Sequence, residues 1–147
     1  MNIKIAKLKK TKKIVISGSA YLQKEMHQWR YFWNNRKNHS VIDFPHSIKN
    51  KNFIKDYPRI HKKFFLNIAK SNVLFVANES KNGIKGYIGA EVFSELAFGV
   101  MQNLLNNRKI EIILAQMPSS QVQSFEEIKL WLKLGWIKIW NRSRIIS

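Results

Sequence analysis

The sequence predicts an α/β domain built on a parallel sheet, and two observations lead to that prediction. β-Branched or continuously apolar runs, typical of strands, alternate along the chain with stretches in which apolar residues recur at helical spacing. Such alternation indicates βαβ units, which place successive strands parallel in one sheet. The length of 147 residues and the 45% hydrophobic composition fit one domain with its own core.

The first half of the chain supplies two strands and two helices. We expect a strand at Lys13–Ser17, a helix at Ala20–Lys37, a strand at Val41–Phe44, a loop at His46–Asp56 and a helix at Tyr57–Lys70. The first strand stops at Gly18, a turn residue, and Ser19 is the expected N-cap of the first helix. The second strand stops at Pro45.

The second half repeats this alternation. We expect strands at Asn72–Ala77, Ile110–Ala115 and Trp136–Trp140, and helices at Ile88–Leu105 and Phe125–Leu134. The expected loops between them are Asn78–Tyr87 and Gln116–Ser124. The run Asn72–Ala77 is continuously apolar after its first residue, as expected for a strand that is covered on both faces. The helix Ile88–Leu105 has a predicted inner stripe of five residues: Val92, Phe93, Leu96, Val100 and Leu104.

The charge is unusual, with 26 basic against nine acidic residues and a formal net charge of +17. Six lysines fall within Met1–Lys13, so we divide the chain into a basic tail, residues 1–12, and a single domain, residues 13–147. Beyond Lys13 the chain still has 20 basic residues and nine acidic ones. Such a field attracts nucleic acid, nucleotides or anionic membranes.

Several classes of site and location are excluded or disfavoured. The chain has no cysteine, which excludes disulfides, thiolate metal sites and a cysteine nucleophile. The four histidines lack metal-ligand spacing, so we expect no metal. No apolar stretch reaches the length of a signal-peptide core or a membrane span. We therefore expect a cytoplasmic protein without a membrane partner.

In parallel sheets ligands bind at the carboxyl ends of the strands, which directs attention to the loops that follow them. Ser17, Gly18 and Ser19 come directly after the first strand and offer backbone N–H groups and two hydroxyls. An anion is favoured beside a helix N-terminus of this kind. The alternative is an ordinary turn with a helix cap.

A second candidate lies in the glycine-containing loop Asn78–Gly89 and the helix behind it. Glu91 and Glu95 are four residues apart and so share one face of that helix, where like charges are unfavourable. Two of only nine acidic residues beside such a loop are candidates for an acid or a nucleophile. Glu95 lies between Val92 and Leu96 of the apolar stripe, which predicts partial burial. The alternative is that Glu91 complements the helix dipole and Glu95 pairs with a lysine.

Two histidines and one aromatic cluster have weaker signals. His46 lies in a loop at the ligand-binding edge and is a candidate substrate contact, whereas His61 on a helix is expected to be structural. Trp29 and Trp33 lie on a helix beside basic residues, a pattern also used for stacking nucleic-acid bases. A core-facing helix stripe is the favoured interpretation of these tryptophans.

The chain resembles the nucleoside 2-deoxyribosyltransferase-like superfamily. The resemblance covers roughly Lys13 to Pro118, and its residues are concentrated in a few segments: Ile16–Ser19, Ala69–Asn78, Lys81–Ile84, Tyr87–Gly89 and Phe93–Phe98. It implies a flavodoxin-like doubly wound sheet of five parallel strands flanked by helices. It also implies enzymes that cleave the N-glycosidic bond of deoxynucleosides or their 5′-monophosphates, without a cofactor, as homo-oligomers.

The resemblance also implies roles for individual residues. Glu95 matches the glutamate that attacks the sugar C1′ and forms a glycosyl-enzyme, and Glu91 would orient or tune it. The remaining matches are expected substrate contacts: Ser17, Gly18 and Ser19 near the ribose or its phosphate, and Asn72, Asn78, Gly86, Tyr87 and Gly89 around the sugar.

The chain departs from the family pattern at three positions. Val15 stands where family enzymes often have a tyrosine, Asn72 where they have an aspartate, and Val92 where close relatives tend to have threonine. Two other functions therefore stay open. One is a catalytically silent nucleotide-binding protein, and the other is a nucleic-acid-associated protein that uses the basic surface, with affinity that falls steeply with salt.

Overall fold

A computed structural model describes residues 10–141, and its centre is a five-stranded sheet in which every strand pair is parallel. The strands are, in chain order, β1 Lys12–Ser17, β2 His39–Asp43, β3 Val73–Val76, β4 Glu111–Leu114 and β5 Lys138–Ile139. Their spatial order is β2-β1-β3-β4-β5. This is the flavodoxin-like, doubly wound order, so the predicted fold class is confirmed.

Four α-helices flank the sheet: α1 Gln23–Asn34, α2 Phe53–Lys70, α3 Ala90–Leu105 and α4 Phe125–Lys133. A 3₁₀ turn, Asn50–Asn52, leads directly into α2. Residues of α1 pack with Ile14, Ile16 and Phe75 on one face of the sheet. The other three helices pack with Val15 and Leu74 on the opposite face.

Both faces of the central strands are buried, which explains their continuous apolar sequences. All four residues of β3 are buried, as are the last four residues of β1. On the α1 face an aromatic cluster surrounds Phe75, whose ring centroid lies 4.5 Å from that of Trp29 and 5.3 Å from that of Trp33. These two tryptophans therefore belong to the core, as the favoured interpretation predicted.

The first helix is shorter than predicted. It begins at Gln23 and not at Ala20, and its N-cap is Leu22, which makes no side-chain cap hydrogen bond. The prediction of Ser19 as N-cap was wrong, because a turn intervenes in which the Leu22 N–H donates to the Ser19 carbonyl at 3.1 Å. The Ser17–Ser19 segment is consequently separated from the helix N-terminus by one turn.

The second helix begins earlier than predicted, at Phe53, so that the predicted loop His46–Asp56 is shortened. The predicted start, Tyr57, lies beside Pro58, and proline is common in the first turn of a helix. In the structure Pro58 lies inside the helix, one turn further on. This extension brings the side chain of Tyr57 onto the same helix face as that of Phe53.

The first helix also ends earlier than predicted, at Asn34 and not at Lys37. The remaining boundaries agree to within about two residues, with one error in the predicted core. Leu104 was expected in the inner stripe of α3, but it is half exposed, whereas Val92, Leu96 and Val100 are buried. Most of the predicted basic tail lies outside the described residues. Among those residues no helix is both long and apolar enough to cross a membrane.

Candidate active site

A cleft of about 380 Å³ opens at the carboxyl edge of the sheet. Its walls come from the turn after β1, the loop after β2, the first half of α2 and the start of α3. This is the edge where doubly wound sheets bind ligands, and the volume lies within the usual range for small-molecule sites. The residues predicted from the sequence that line the cleft include Gly18 and Ser19 after β1, and Glu91 and Glu95 on α3.

Glu95 lies in the second turn of α3 with only 6% of its surface exposed. It is buried because it follows Val92 by three residues and precedes Leu96, so the apolar stripe of α3 carries it against the sheet. The Ser17 hydroxyl at the end of β1 donates a hydrogen bond of 2.7 Å to its Oε1. Ser17 itself is fully buried, so Glu95 meets a serine and not the lysine of the alternative interpretation.

Burial raises the pKa of the Glu95 carboxyl to about 8. The hydrogen bond from Ser17 opposes this rise, while the charges of Glu91 and Asp43 add to it. The carboxyl is therefore largely protonated near neutral pH, with on the order of one molecule in ten ionised. Carboxylates tuned in this way are typical of sites that perform acid–base or nucleophilic chemistry.

Glu91 lies one turn before Glu95, at the mouth of the cleft, with 60% of its side chain exposed. Its Oε1 is 4.0 Å from Nδ1 of His61 on α2. The pKa of the Tyr57 hydroxyl, also on α2, is raised by burial and then by the charges of Glu91 and Glu95. The two glutamates thus lie close to two titratable side chains of α2, Tyr57 and His61.

Asp43 ends β2 and is a buried carboxylate that sequence reasoning did not single out. Its Oδ1 accepts from the Phe44 backbone N–H at 2.9 Å, and its Oδ2 accepts from the Asn67 side-chain amide at 2.7 Å. Nε2 of His46, which lines the cleft, lies 3.6 Å from Oδ1. The candidate contact His46 is therefore placed at the cleft.

The opposite corner of the cleft is cationic. Nζ of Lys81 donates to the Ser19 hydroxyl at 3.2 Å. It also lies 4.7 Å from the ring centroid of Tyr21 and 5.4 Å from that of Tyr87, both of which line the cleft. Ser19 and Lys81 are thus brought together from loops 62 residues apart and offer a hydroxyl and a positive charge to an anion.

Asn78 and Gly86 hold the glycine loop in place but do not line the cleft. The buried Asn78 amide donates to the Gln116 carbonyl at 2.8 Å and to the Gly86 carbonyl at 3.3 Å, and its Oδ1 accepts from the Gln116 N–H at 3.2 Å. Gly86 has φ +62° and approaches Pro118 closely. Tyr87 and Gly89, which follow on this loop, do line the cleft.

Asn72 is not brought together with the other predicted site residues. It precedes β3, so it lies at the amino edge of the sheet, and its Oδ1 accepts from the Lys13 N–H at 2.8 Å. The expected substrate contact at this residue therefore has no support from its position. Val15, at the place of the family tyrosine, is fully buried in the core and supplies no polar group.

The structure adds three cleft residues that the sequence analysis did not assign. Tyr57 and Lys81 were not proposed as contacts, and His61 was expected to be structural, yet all three line the cleft. Tyr57 and His61 are four residues apart, and this spacing could have indicated that both side chains lie on the same face of α2. Within residues 10–141 no cluster of histidine and acidic side chains is arranged to hold a metal ion.

Comparison of the chain with known protein families finds no match, and comparison with curated proteins finds none either.

Proposed function

We propose that the protein cleaves the N-glycosidic bond of a deoxynucleoside or deoxynucleotide, with Glu95 as the nucleophile. The observation that carries this proposal is the buried carboxylate of Glu95, hydrogen-bonded to Ser17, at the carboxyl edge of a parallel sheet and on the wall of a cleft of nucleoside size. Such a group is shielded from water and open to a ligand, as covalent catalysis requires. The family resemblance in sequence supports the same assignment.

In the proposed first step the ionised Glu95 carboxylate attacks C1′ of the sugar. A C1′–O bond forms, the C1′–N bond breaks, and the bonding electron pair leaves with the base. In the second step a water molecule or another base attacks C1′ and releases Glu95, so that two displacements retain the configuration. Glu91 and Asp43 raise the pKa of the Glu95 carboxyl and thereby make the freed carboxylate a stronger nucleophile.

The cationic corner supports a phosphorylated substrate. Lys81 and the Ser19 hydroxyl lie together on one side of the cleft, where a 5′-phosphate would receive a charge-assisted hydrogen bond. The net charge of +17 would also raise the local concentration of such an anion. We therefore expect a higher kcat/KM for a deoxynucleoside 5′-monophosphate than for the same deoxynucleoside, in a cytoplasmic protein that forms homo-oligomers.

The test is base release from the four common deoxynucleosides and their 5′-monophosphates, measured by chromatography. We expect the wild-type protein to release base and Glu95→Gln to be slower by at least about a hundredfold, because an amide cannot form the ester intermediate. Glu126→Gln, an exposed glutamate at the start of α4 and outside the cleft lining, is the control and should keep full activity.

Absence of base release from wild type with every substrate would overturn the enzymatic proposal. If these ligands then still raise the melting temperature, the catalytically silent nucleotide-binding protein becomes the better account. The position of Val15 in the core, without a hydroxyl in the cleft, is the observation that favours this second function.

A further inference from the structure

One wall of the cleft is an aromatic ladder along α2, formed by Phe53, Tyr57, His61 and Phe65. The ring centroids of Phe53 and Tyr57 are 5.1 Å apart, and those of Tyr57 and His61 are 4.9 Å apart, with interplanar angles of 24° and 19°. The first three of these residues line the cleft. A planar base can extend such a stack, since aromatic side chains stack on bases without regard to their sequence.

The two sides of the cleft therefore suit the two ends of a nucleotide. Ser19 and Lys81 offer hydrogen bonding and positive charge, and the ladder on α2 offers flat apolar surface. With the phosphate end at Lys81, the base end falls at the ladder on α2, whose cleft-lining residues include His61. Glu95, on α3, lines the same cleft.

His61 is paired with a carboxylate at this position. Its Nδ1 lies 4.0 Å from Oε1 of Glu91, and one third of its side chain is exposed. The His61 ring is stacked on Tyr57 and lies edge-on to Phe65 at 4.6 Å, and these contacts limit its rotation. An imidazole placed beside a carboxylate in a ligand-binding cleft is an arrangement suited to a general acid.

We propose that His61, which lies beside Glu91, is the general acid that protonates the leaving base. This inference rests on the proposed function and assigns a second catalytic residue to the same site. When Glu95 attacks C1′ and the C1′–N bond breaks, the proton of the imidazolium passes to a nitrogen of the departing base. The neutral imidazole then takes a proton from the attacking water or incoming base in the second displacement.

Other titratable groups lie near Glu95. The cleft is also lined by His46, Tyr57, Glu91 and Lys81, and Asp43, which pairs with His46, acts on the Glu95 carboxyl through its charge. His46 forms a similar pair with Asp43, but it belongs to the loop after β2 and not to the ladder. The ring stacking is what distinguishes His61 as the donor.

The experiment compares two substrates that differ in their need for a general acid. One is 2′-deoxyguanosine, whose base departs poorly unless it is protonated. The other is its N7-methyl derivative, whose base is already cationic and departs as a neutral molecule. Steady-state kinetics are measured for wild type, His61→Gln and His61→Phe, of which the second keeps an aromatic ring in the ladder. The same pair as 5′-monophosphates is used if wild type requires the phosphate.

We expect both His61 variants to lose kcat by about 10²- to 10⁴-fold on the unmethylated substrate and by less than about threefold on the methylated one. A purely structural role would lower both rates equally. The control is His39→Gln, at the amino edge of β2 and outside the cleft lining, which should leave both rates unchanged.

Three outcomes would overturn the inference. Equal losses on the two substrates would reduce His61 to a structural residue, while the dependence on Glu95 and hence the proposed function would still stand. A selective loss in His46→Gln but not in the His61 variants would transfer the role to the Asp43 pair. Failure of wild type to cleave either substrate would overturn this inference, and the proposed function would fall with it only if none of the other deoxynucleosides and monophosphates released base.

Discussion

At the scale of single residues, the chemistry of the cleft depends on how Glu95 is enclosed. On α3 it lies between the buried Val92 and Leu96, and its one hydrogen-bond donor among the described side chains is the Ser17 hydroxyl at 2.7 Å. Burial raises the pKa of the carboxyl to about 8, and Ser17 limits that rise. The same serine thus holds the carboxyl in place and keeps part of it ionised.

Replacing Ser17 with alanine should shift the pH dependence of the reaction. The hydrogen bond from Ser17 lowers the pKa of the Glu95 carboxyl, so its loss raises that pKa further. Since the ionised form is the nucleophile, activity rises as the pH increases through the pKa. With the N7-methylated substrate, which needs no general acid, the midpoint of the kcat/KM profile should therefore move from about pH 8 in wild type to a higher pH in Ser17→Ala.

The matched control is Ser71→Ala. Ser71 is also fully buried, but its hydroxyl donates to the Ile68 carbonyl at 2.8 Å, at the amino edge of the sheet. Both variants lose one buried hydrogen bond, worth about 0.5–1.5 kcal/mol of the free energy of unfolding. Only Ser17→Ala should move the midpoint, and an unchanged midpoint in that variant would contradict the role given to Ser17.

At the scale of elements, the glycine loop before α3 is held against the loop that follows β4. Gly86, at φ +62°, would place a Cβ 2.8 Å from Pro118 Cα and 2.9 Å from the Met117 carbonyl oxygen. Asn78 joins the same two loops through its amide. The start of α3, and with it the position of Glu91, depends on this contact between loops.

Gly86→Ala should therefore destabilise the protein more than Gly83→Ala. Both glycines have positive φ, at +62° and +76°, so both variants incur the cost of a left-handed conformation, about 1–2 kcal/mol. A Cβ at Gly83 meets nothing within 4 Å, whereas one at Gly86 meets backbone atoms. We expect urea denaturation to show an additional loss of about 1–3 kcal/mol for Gly86→Ala. Equal losses of the free energy of unfolding in the two variants would contradict the close contact of Gly86 with the backbone of Met117 and Pro118.

The elements also show how far the sequence could be interpreted. The phase of α3 was predictable because its apolar repeat is long and regular, and that phase placed Glu95 beside the core. The start of α2 was not, because proline is favoured in the first turn of a helix and disfavoured in the interior, where Pro58 lies in the structure. Tyr57 was consequently assigned to the beginning of a helix that starts one turn earlier.

At the scale of the whole molecule, the parallel sheet explains which candidates meet and which do not. Ser17 and Asp43 end neighbouring strands and so reach one edge, while Asn72 begins a strand and lies at the other. The pairing of Lys81 with Ser19, and of His61 with Glu91, joins distant segments through tertiary packing alone. Local patterns in the sequence contain no signal for such pairs.

The raised pKa of the Glu95 carboxyl also predicts a dependence of global stability on pH. Below about pH 4.5 the folded and unfolded states both hold the proton; between about pH 4.5 and 8 only the folded state retains it. Rising pH therefore favours unfolding over this range, and the stability that Glu95 contributes is lost by about pH 8. Glu95→Gln removes this dependence.

Urea denaturation at pH 5 and pH 9 measures this effect. The free energy of unfolding of wild type, relative to that of Glu95→Gln, should fall by on the order of a few kcal/mol between the two values, since one pKa unit corresponds to about 1.4 kcal/mol. The comparison between variants cancels the contribution of the other titrating groups. If the free energy of unfolding changed equally in the two proteins between pH 5 and pH 9, the pKa of Glu95 would not be raised in the folded state.

The most direct measurement of the central claim is the mass of the protein during turnover. A deoxynucleoside with fluorine at C2′ should slow both displacements, because fluorine destabilises the oxocarbenium-like transition state, and the glycosyl-enzyme should accumulate if the base departs readily. We predict that intact-mass spectrometry of wild type shows one added fluorinated sugar, that peptide mapping places it on Glu95, and that Glu95→Gln shows none. A wild-type protein that releases base without any adduct on Glu95, or with the sugar on another residue, would contradict the account.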